Sequence, residues 1–221
     1  MNFADAKVII FDVSGTIVND LAPVYDAYHY TVQKLGGKPM TRAEFERNFT
    51  ASLIELYRMV GINEDKEKIT QIYQQRSLTP EFWSGVKAYE GVKEGLQKLR
   101  RKFRLAIATS WRMVEMNKLF EATGIDPLLF DEVVCHDHVT NLKPHPEPIE
   151  LIVKKLGVPA SECVMIGDTV SDVMCGKAAG SKTVAVTYGT NSAEDLKRAK
   201  PDAVVNSWQE LEKLFLNDFR V

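Results

Sequence analysis

Six polar residues stand just past short aliphatic runs in this sequence. Asp12 closes VIIFD, Thr109 and Ser110 follow RLAIA, Lys143 lies in the loop HDHVTNLKP after EVVC, and Asp168 and Asp172 follow CVMIG within GDTVSD. They comprise a nucleophile-type carboxylate, two hydroxyls, an ammonium and an acidic pair. Together such groups can hold a phosphoryl group and a divalent cation. A phosphoryl group is an anion and repels an attacking carboxylate, and a hard cation such as Mg²⁺ removes much of that repulsion. Mg²⁺ takes oxygen ligands in octahedral geometry and keeps several waters. Asp12 and Asp168 can supply two oxygens, and the backbone carbonyl near Ser14 a third. Thr109 and Ser110 can donate hydrogen bonds to phosphoryl oxygens, and Lys143 adds positive charge. The Gly15-Thr16 turn is expected to aim backbone N–H groups at the same oxygens.

The elements around these residues explain their placement. KVIIF (7–11), RLAIA (104–108), EVVC (132–135) and CVMIG (163–167) read as buried parallel strands, and KTVAV (182–186) and DAVV (202–205) extend the set. Amphipathic patterns at 91–102, 112–123, 147–156, 171–179 and 207–217 alternate with the later strands, and Gly157 reads as a helix stop. This alternation implies an α/β fold, a three-layer Rossmann-like parallel sheet core. In such a sheet ligands bind beyond the carboxyl ends of the strands, where the six residues stand. Residues 20–84 break the rhythm with helical patterns at 22–35, 41–59 and 64–78. Thr41 and Glu44 have capping-box spacing, and Gly36-Gly37 and Gly61 separate the segments. The domain reading is therefore a core of 1–18 and 85–221 with a helical cap, 19–84, inserted after the first strand as a hinged lid.

Bulk properties narrow the partners. The chain has 221 residues, 45% hydrophobic, 26% charged, with formal net charge −2. That balance gives no electrostatic reason to expect nucleic acid or an anionic membrane. No apolar run reaches membrane-spanning length, and MNFADAK lacks the layout of a secretory signal. Cys135, Cys163 and Cys175 are odd in number and widely spaced, which suits free thiols in a reducing compartment. The expectation is a cytoplasmic monomer or homodimer acting on a small phosphorylated metabolite.

The set D-x-x-G-T, hhhT-S, K-P and G-D-x-x-x-D, running in order from 12 to 172, resembles the haloacid dehalogenase-like hydrolase superfamily. More narrowly it is similar to the phosphatase and phosphonatase branch with a helical cap after the first strand. The resemblance implies that Asp12 is the nucleophile that forms an aspartyl-phosphate. It implies that Thr109 binds the phosphoryl group and that Lys143 steadies Asp12 and the phosphoryl oxygens. Asp168 would hold Mg²⁺, and Asp172 would hold Asp168 or a metal-bound water.

Ser14 departs from that pattern. Phosphatases of the family carry an Asp there, which protonates the leaving oxygen and then activates water. A hydroxyl cannot do this near neutral pH, and general acid–base help contributes about 10²–10⁴ in rate. Three readings follow. One is a phosphohydrolase acting on substrates with good leaving groups, or with another group supplying the proton. A second is a phosphonoacetaldehyde hydrolase-like enzyme breaking a C–P bond. Its cap lysine aligns near Leu53 here, and it has Arg where Lys143 lies. The third is a catalytically weak phospholigand-binding protein. Halide displacement is disfavoured, because it needs no metal and GDTVSD would then gather unneutralised charge. His136, His138 and His145 lie near Lys143 without zinc-site spacing. Ser110 is also a candidate helix cap, Trp111 and Arg112 are candidates for the site mouth, and Arg47, Asn48, Thr50, Tyr57 and Arg58 for substrate contact from the cap.

Overall fold

A computed structural model describes residue 3 and residues 5–49 and 53–216. The sheet is built from β1 (Val8–Phe11), β4 (Arg104–Ala108), β5 (Glu132–Val134), β6 (Cys163–Gly167), β7 (Lys182–Val186) and β8 (Ala203–Val205), in the order β5-β4-β1-β6-β7-β8 and parallel throughout. β1 is central, with Phe11 in register with Ile107 on one side and Ile166 on the other. The chain builds outward from β1 through β4 to β5, then crosses back to β6. The carboxyl ends of β4, β1 and β6 therefore flank the point where the strand order reverses, the usual ligand crevice of such sheets.

Both faces of the sheet are covered, which is why its strands are aliphatic without polar alternation. Ile9 and Phe11 point to one layer, where they join Leu96 and Leu99 of α6 (Val92–Arg100), Met116 and Leu119 of α7 (Met113–Thr123), and Trp208 and Leu211 of α11 (Trp208–Leu216). Val8 and Ile10 point to the other, against Ile149 and Ile152 of α8 (Glu147–Leu156) and Cys175 of α9 (Val170–Ala179). Gly157 ends α8 with φ +65°, a left-handed conformation that suits glycine. Asp195 N–H donates to Ser192 at the start of α10 (Ala193–Arg198), which covers the β7–β8 edge of the sheet. Cys135, Cys163 and Cys175 are buried and free. Among the described residues no helix is long and apolar enough to cross a membrane.

Between β1 and α6 lies the helical segment. It holds α1 (Leu21–Lys34), α2 (Arg42–Asn48), α3 (Leu53–Met59), α4 (Lys66–Ser77) and α5 (Pro80–Gly85). The pattern at 41–59 thus contains two helices rather than one. Thr41 and Glu44 form the capping box at the start of α2: Glu44 N–H donates to the Thr41 hydroxyl, and Thr41 N–H to the Glu44 carboxylate at 2.8 Å. Tyr25 and Tyr28 of α1 pack on Phe45 of α2 with ring centroids 5.3 and 4.9 Å apart, so aromatic contact fixes these short helices. α5 has no counterpart in the sequence reading, which resumed the core at residue 85. The two chain crossings pair as an antiparallel ribbon, β2 (Val18–Asn19) with β3 (Lys87–Ala88).

Candidate active site

The strand ends bring the chemistry together. Asp12 N–H continues the ladder by donating to the Ile166 carbonyl at 2.8 Å, which fixes the carboxylate just past β1. Thr109 N–H does the same to Val134, just past β4. Asp168 follows β6 directly, and Asp172 lies in the first turn of α9. One carboxylate oxygen from each of Asp12, Asp168 and Asp172 lies within 4.8 Å of the others, and all three residues are buried.

Lys143 links two of them. Its Nζ donates to Asp12 Oδ1 and to Asp172 Oδ1, both at 2.6 Å, with its side chain only 4% exposed. Burial works to lower its pKa, but the two carboxylates outweigh burial and hold it above the ordinary lysine value, so it stays cationic. The other oxygen of Asp172 accepts from the N–H and hydroxyl of Thr169, at 3.0 and 2.6 Å. Asp172 is thereby engaged at both oxygens, as the partner of Lys143 and the capping acid of α9. Asp168 accepts from the Thr16 hydroxyl at 3.1 Å and from Thr190 N–H at 2.7 Å.

These carboxylates carry more negative charge than one ammonium neutralises. Asp12 is pushed above the ordinary carboxylate range, first by burial, against the pull of Lys143 and with Asp172 and Asp168 adding to the rise. Asp168 is raised by burial and by Asp172. A buried oxygen cluster with surplus charge fits a small divalent cation, which would reverse both shifts. Asp168 is engaged at both oxygens too, but only by neutral donors, whereas Asp172 already faces the Lys143 ammonium, so Asp12 and Asp168 are the residues better suited to hold it.

Gly15 does not serve as expected. Its N–H donates to the Val18 carbonyl at 2.9 Å, and Thr16 N–H donates to Val13 at 3.2 Å, so the turn spends these donors on itself. Among the described residues, the N–H groups of Val13 and Ser14 make no such bond and are the ones left for a phosphoryl oxygen. The role of Gly15 is steric: φ is +71°, and a Cβ there would run into the Asp168 carboxylate. Thr109 is 4% exposed, and its Oγ1 accepts from Trp111 N–H at 3.2 Å, which leaves its proton for an acceptor. Ser110 is not the cap of α7. Arg112 holds that position, its N–H bonded to Glu115 at 2.9 Å.

Ser14 has a partner that the sequence reading missed. Its Oγ donates to the carboxylate of Asp20, 2.7 Å from either oxygen. Asp20 occupies the N-cap position of α1 yet makes no side-chain cap bond, because its carboxylate is turned to Ser14. It is 1% exposed, and burial pushes it up to about 7, against the Ser14 hydrogen bond and with help from Asp12. An Asp just before a helix ordinarily signals a cap, so nothing in the sequence marked it.

Above the strand ends lies a cavity of about 390 Å³. Asp12, Ser14, Thr109, Ser110 and Lys143 line its floor. Trp111, Arg112 and His136 line it from the core, and Phe49, Ile54, Tyr57, Lys66, Ile69 and Tyr73 from the cap, with Phe82 and Trp83 of α5. Of the cap residues singled out from sequence, Tyr57 lines it, Arg47, Asn48 and Arg58 do not, and Thr50 lies outside the described residues. His138 and His145 instead accept N–H groups of Cys135 and Glu147 through Nδ1.

Fold and site define a family. The profile of the haloacid dehalogenase-like hydrolases matches residues 9–186, and the chain belongs to that family: it is a hydrolase. Among relatives, it is 32% identical to a protein of Bacillus velezensis named pyrophosphatase PpaX, over 92% of this chain and 93% of that one. It is 29% identical to a phosphoglycolate phosphatase of Colwellia psychrerythraea, over 96% and 97%. A haloacid dehalogenase-like family hydrolase of Streptococcus pneumoniae shares the fold with a TM-score of 0.81 at 20% identity, covering 94% of this chain and 97% of that one.

Proposed function

We propose that the protein is a Mg²⁺-dependent phosphohydrolase acting on a small phosphorylated metabolite through an aspartyl-phosphate. The carrying observation is Lys143 held between Asp12 and Asp172 beside Asp168, at the floor of a cavity. The relatives' names, pyrophosphatase and phosphoglycolate phosphatase, support the same class.

Lys143 occupies Asp12 Oδ1, and Oδ2 takes no hydrogen bond among the described residues. In this reading Oδ2 is the oxygen that attacks phosphorus. The bond from phosphorus to the leaving oxygen breaks as the Asp12–phosphorus bond forms. Water then attacks the phosphorus, releasing inorganic phosphate and restoring the carboxylate. Thr109 Oγ1, the Val13 and Ser14 N–H groups and Lys143 are the donors for the phosphoryl oxygens. Asp12, Asp168 and the Ser14 carbonyl would hold a divalent cation, which when bound would supply charge neutralisation.

Replacing Asp12 by Asn is expected to lower kcat by at least about 10³, by removing the nucleophile. Rapid-quench capture of an acid-stable, hydroxylamine-labile phosphoenzyme in the parent and not in the variant checks this. Parent-like turnover by the variant would remove Asp12 from the chemistry.

One observation favours the C–P reading as a second choice. A cap lysine, Lys66, lines the cavity, with Nζ 3.0 Å from His136 Nε2. Borohydride trapping in the presence of phosphonoacetaldehyde tests it: a stable adduct on Lys66 supports this reading, and its absence leaves phosphoester hydrolysis.

A further inference from the structure

The cavity above Asp12 narrows the substrate, provided the phosphohydrolase reading holds. We infer that it receives the leaving group of a phosphomonoester of a flat aromatic alcohol. Three observations converge on that class.

The first is the wall. Phe82 and Trp83 come from α5 and Trp111 from the loop after β4, and they pack edge to face, with Trp83 and Trp111 centroids 5.5 Å apart at 72°. Tyr57 and Ile69 complete an apolar, largely aromatic surround. Aromatic walls favour planar apolar guests through stacked and edge-on contacts. At about 390 Å³ the space lies toward the small end of the roughly 300–1,000 Å³ of small-molecule sites, enough for one or two rings and a phosphoryl group.

The second is the rim. Arg112 faces Asp137 at 3.4 Å and Glu115 brings a carboxylate of its own, which leaves Lys66, still charged while it donates to the imidazole of His136, as a single cation there. Among the described residues no cluster of unopposed cations lines this end of the cavity. Pyrophosphate and phosphoglycolate, small and anionic at both ends, need one.

The third concerns the leaving oxygen. While Asp20 is ionised, Ser14 gives its only proton to that carboxylate and so has none for the leaving oxygen. An alcohol that departs unprotonated must be a stable anion. Phenolic hydroxyls ionise near about 10, far below aliphatic alcohols. The wall and the proton balance, observed separately, select the same alcohols.

The test uses the full chain with Mg²⁺ at pH 8, where Asp20 is ionised, and compares kcat/KM for 2-naphthyl, phenyl and n-hexyl phosphates, phosphoglycolate and pyrophosphate. Naphthol and phenol leave about equally well, so their ratio isolates the second ring. We expect 2-naphthyl phosphate to exceed phenyl phosphate at least about tenfold, chiefly through KM. Both should exceed phosphoglycolate and pyrophosphate by about 10² or more, a gap of roughly 2.7 kcal/mol. Equal naphthyl and phenyl values, or preference for either dianionic metabolite, overturn the inference while leaving the phosphohydrolase reading intact. No hydrolysis of any ester overturns both.

Discussion

Ser14 and Asp20 form a carboxylate–hydroxyl pair, 2.7 Å apart, in the place where one carboxylate usually suffices. Restoring that carboxylate should be informative. In Ser14→Asp the new acid would lie against Asp20, and like charges so close keep one proton between them. That proton is available to a leaving oxygen. The variant is expected to hydrolyse n-hexyl phosphate up to about 10² faster, with a smaller gain on aryl esters. Equal gains on both, or none, would mean that another group already protonates the alkyl oxygen. Asp20 itself bears on stability. Its folded value of about 7 lies above the ordinary aspartate value of 3.8, so between those pH values the folded protein holds a proton that the unfolded chain has lost. The stabilisation is therefore full below the lower value and disappears as pH rises through the upper one. Asp20→Asn removes this loss. Relative to the parent, its urea-unfolding free energy in EDTA should rise between pH 5 and pH 8 by on the order of a few kcal/mol. A constant difference across that range would contradict the burial argument.

Helix α6 and its neighbour α11 show packing overriding propensity. Gly95 lies on the buried face of α6, and a Cβ there would collide with the Trp208 indole, itself 2% exposed and stacked on Phe11. Helix propensity alone favours Ala over Gly by about 1 kcal/mol. Overpacking a closed interface costs about 1–3 kcal/mol. Gly95→Ala is therefore expected to lower the urea midpoint, and a raised midpoint would show that α11 yields. Elements of this kind were legible when their period was long and unbroken. RLAIA, CVMIG and the amphipathic run at 147–156 match β4, β6 and α8 residue for residue. α5 was not legible, because six residues with two aromatics show no period, although Thr79 before Pro80 was a start signal. β2 and β3 are two residues each, below any pattern. The floor of the site was legible because each polar residue closes an aliphatic strand. The roof was not: Ile69 and Tyr73 face inward only because α4 docks on α1, a tertiary fact.

At the scale of the whole molecule, a cation bound by the buried acids would become part of the fold's stability. Asp12, Asp168 and Asp172 converge with one lysine among them, and the site they form exists only in the folded chain. At a hundredfold excess over Kd such a ligand adds about 2.7 kcal/mol. For a domain of this size that corresponds to about 5–10 °C in Tm. Thermal unfolding at pH 8 should show this rise with Mg²⁺, and Asp168→Asn should lose most of it. An identical rise in the variant would place the cation elsewhere. The same architecture carries an optical signature. The chain has three tryptophans, and two of them meet across the boundary between inserted helices and sheet, Trp83 on one side and Trp111 on the other. Indoles this close couple their excited states, so an exciton couplet in the dichroism of their strong far-ultraviolet band reports, averaged over the molecules in solution, whether the helices and the sheet are seated together, without any attached dye.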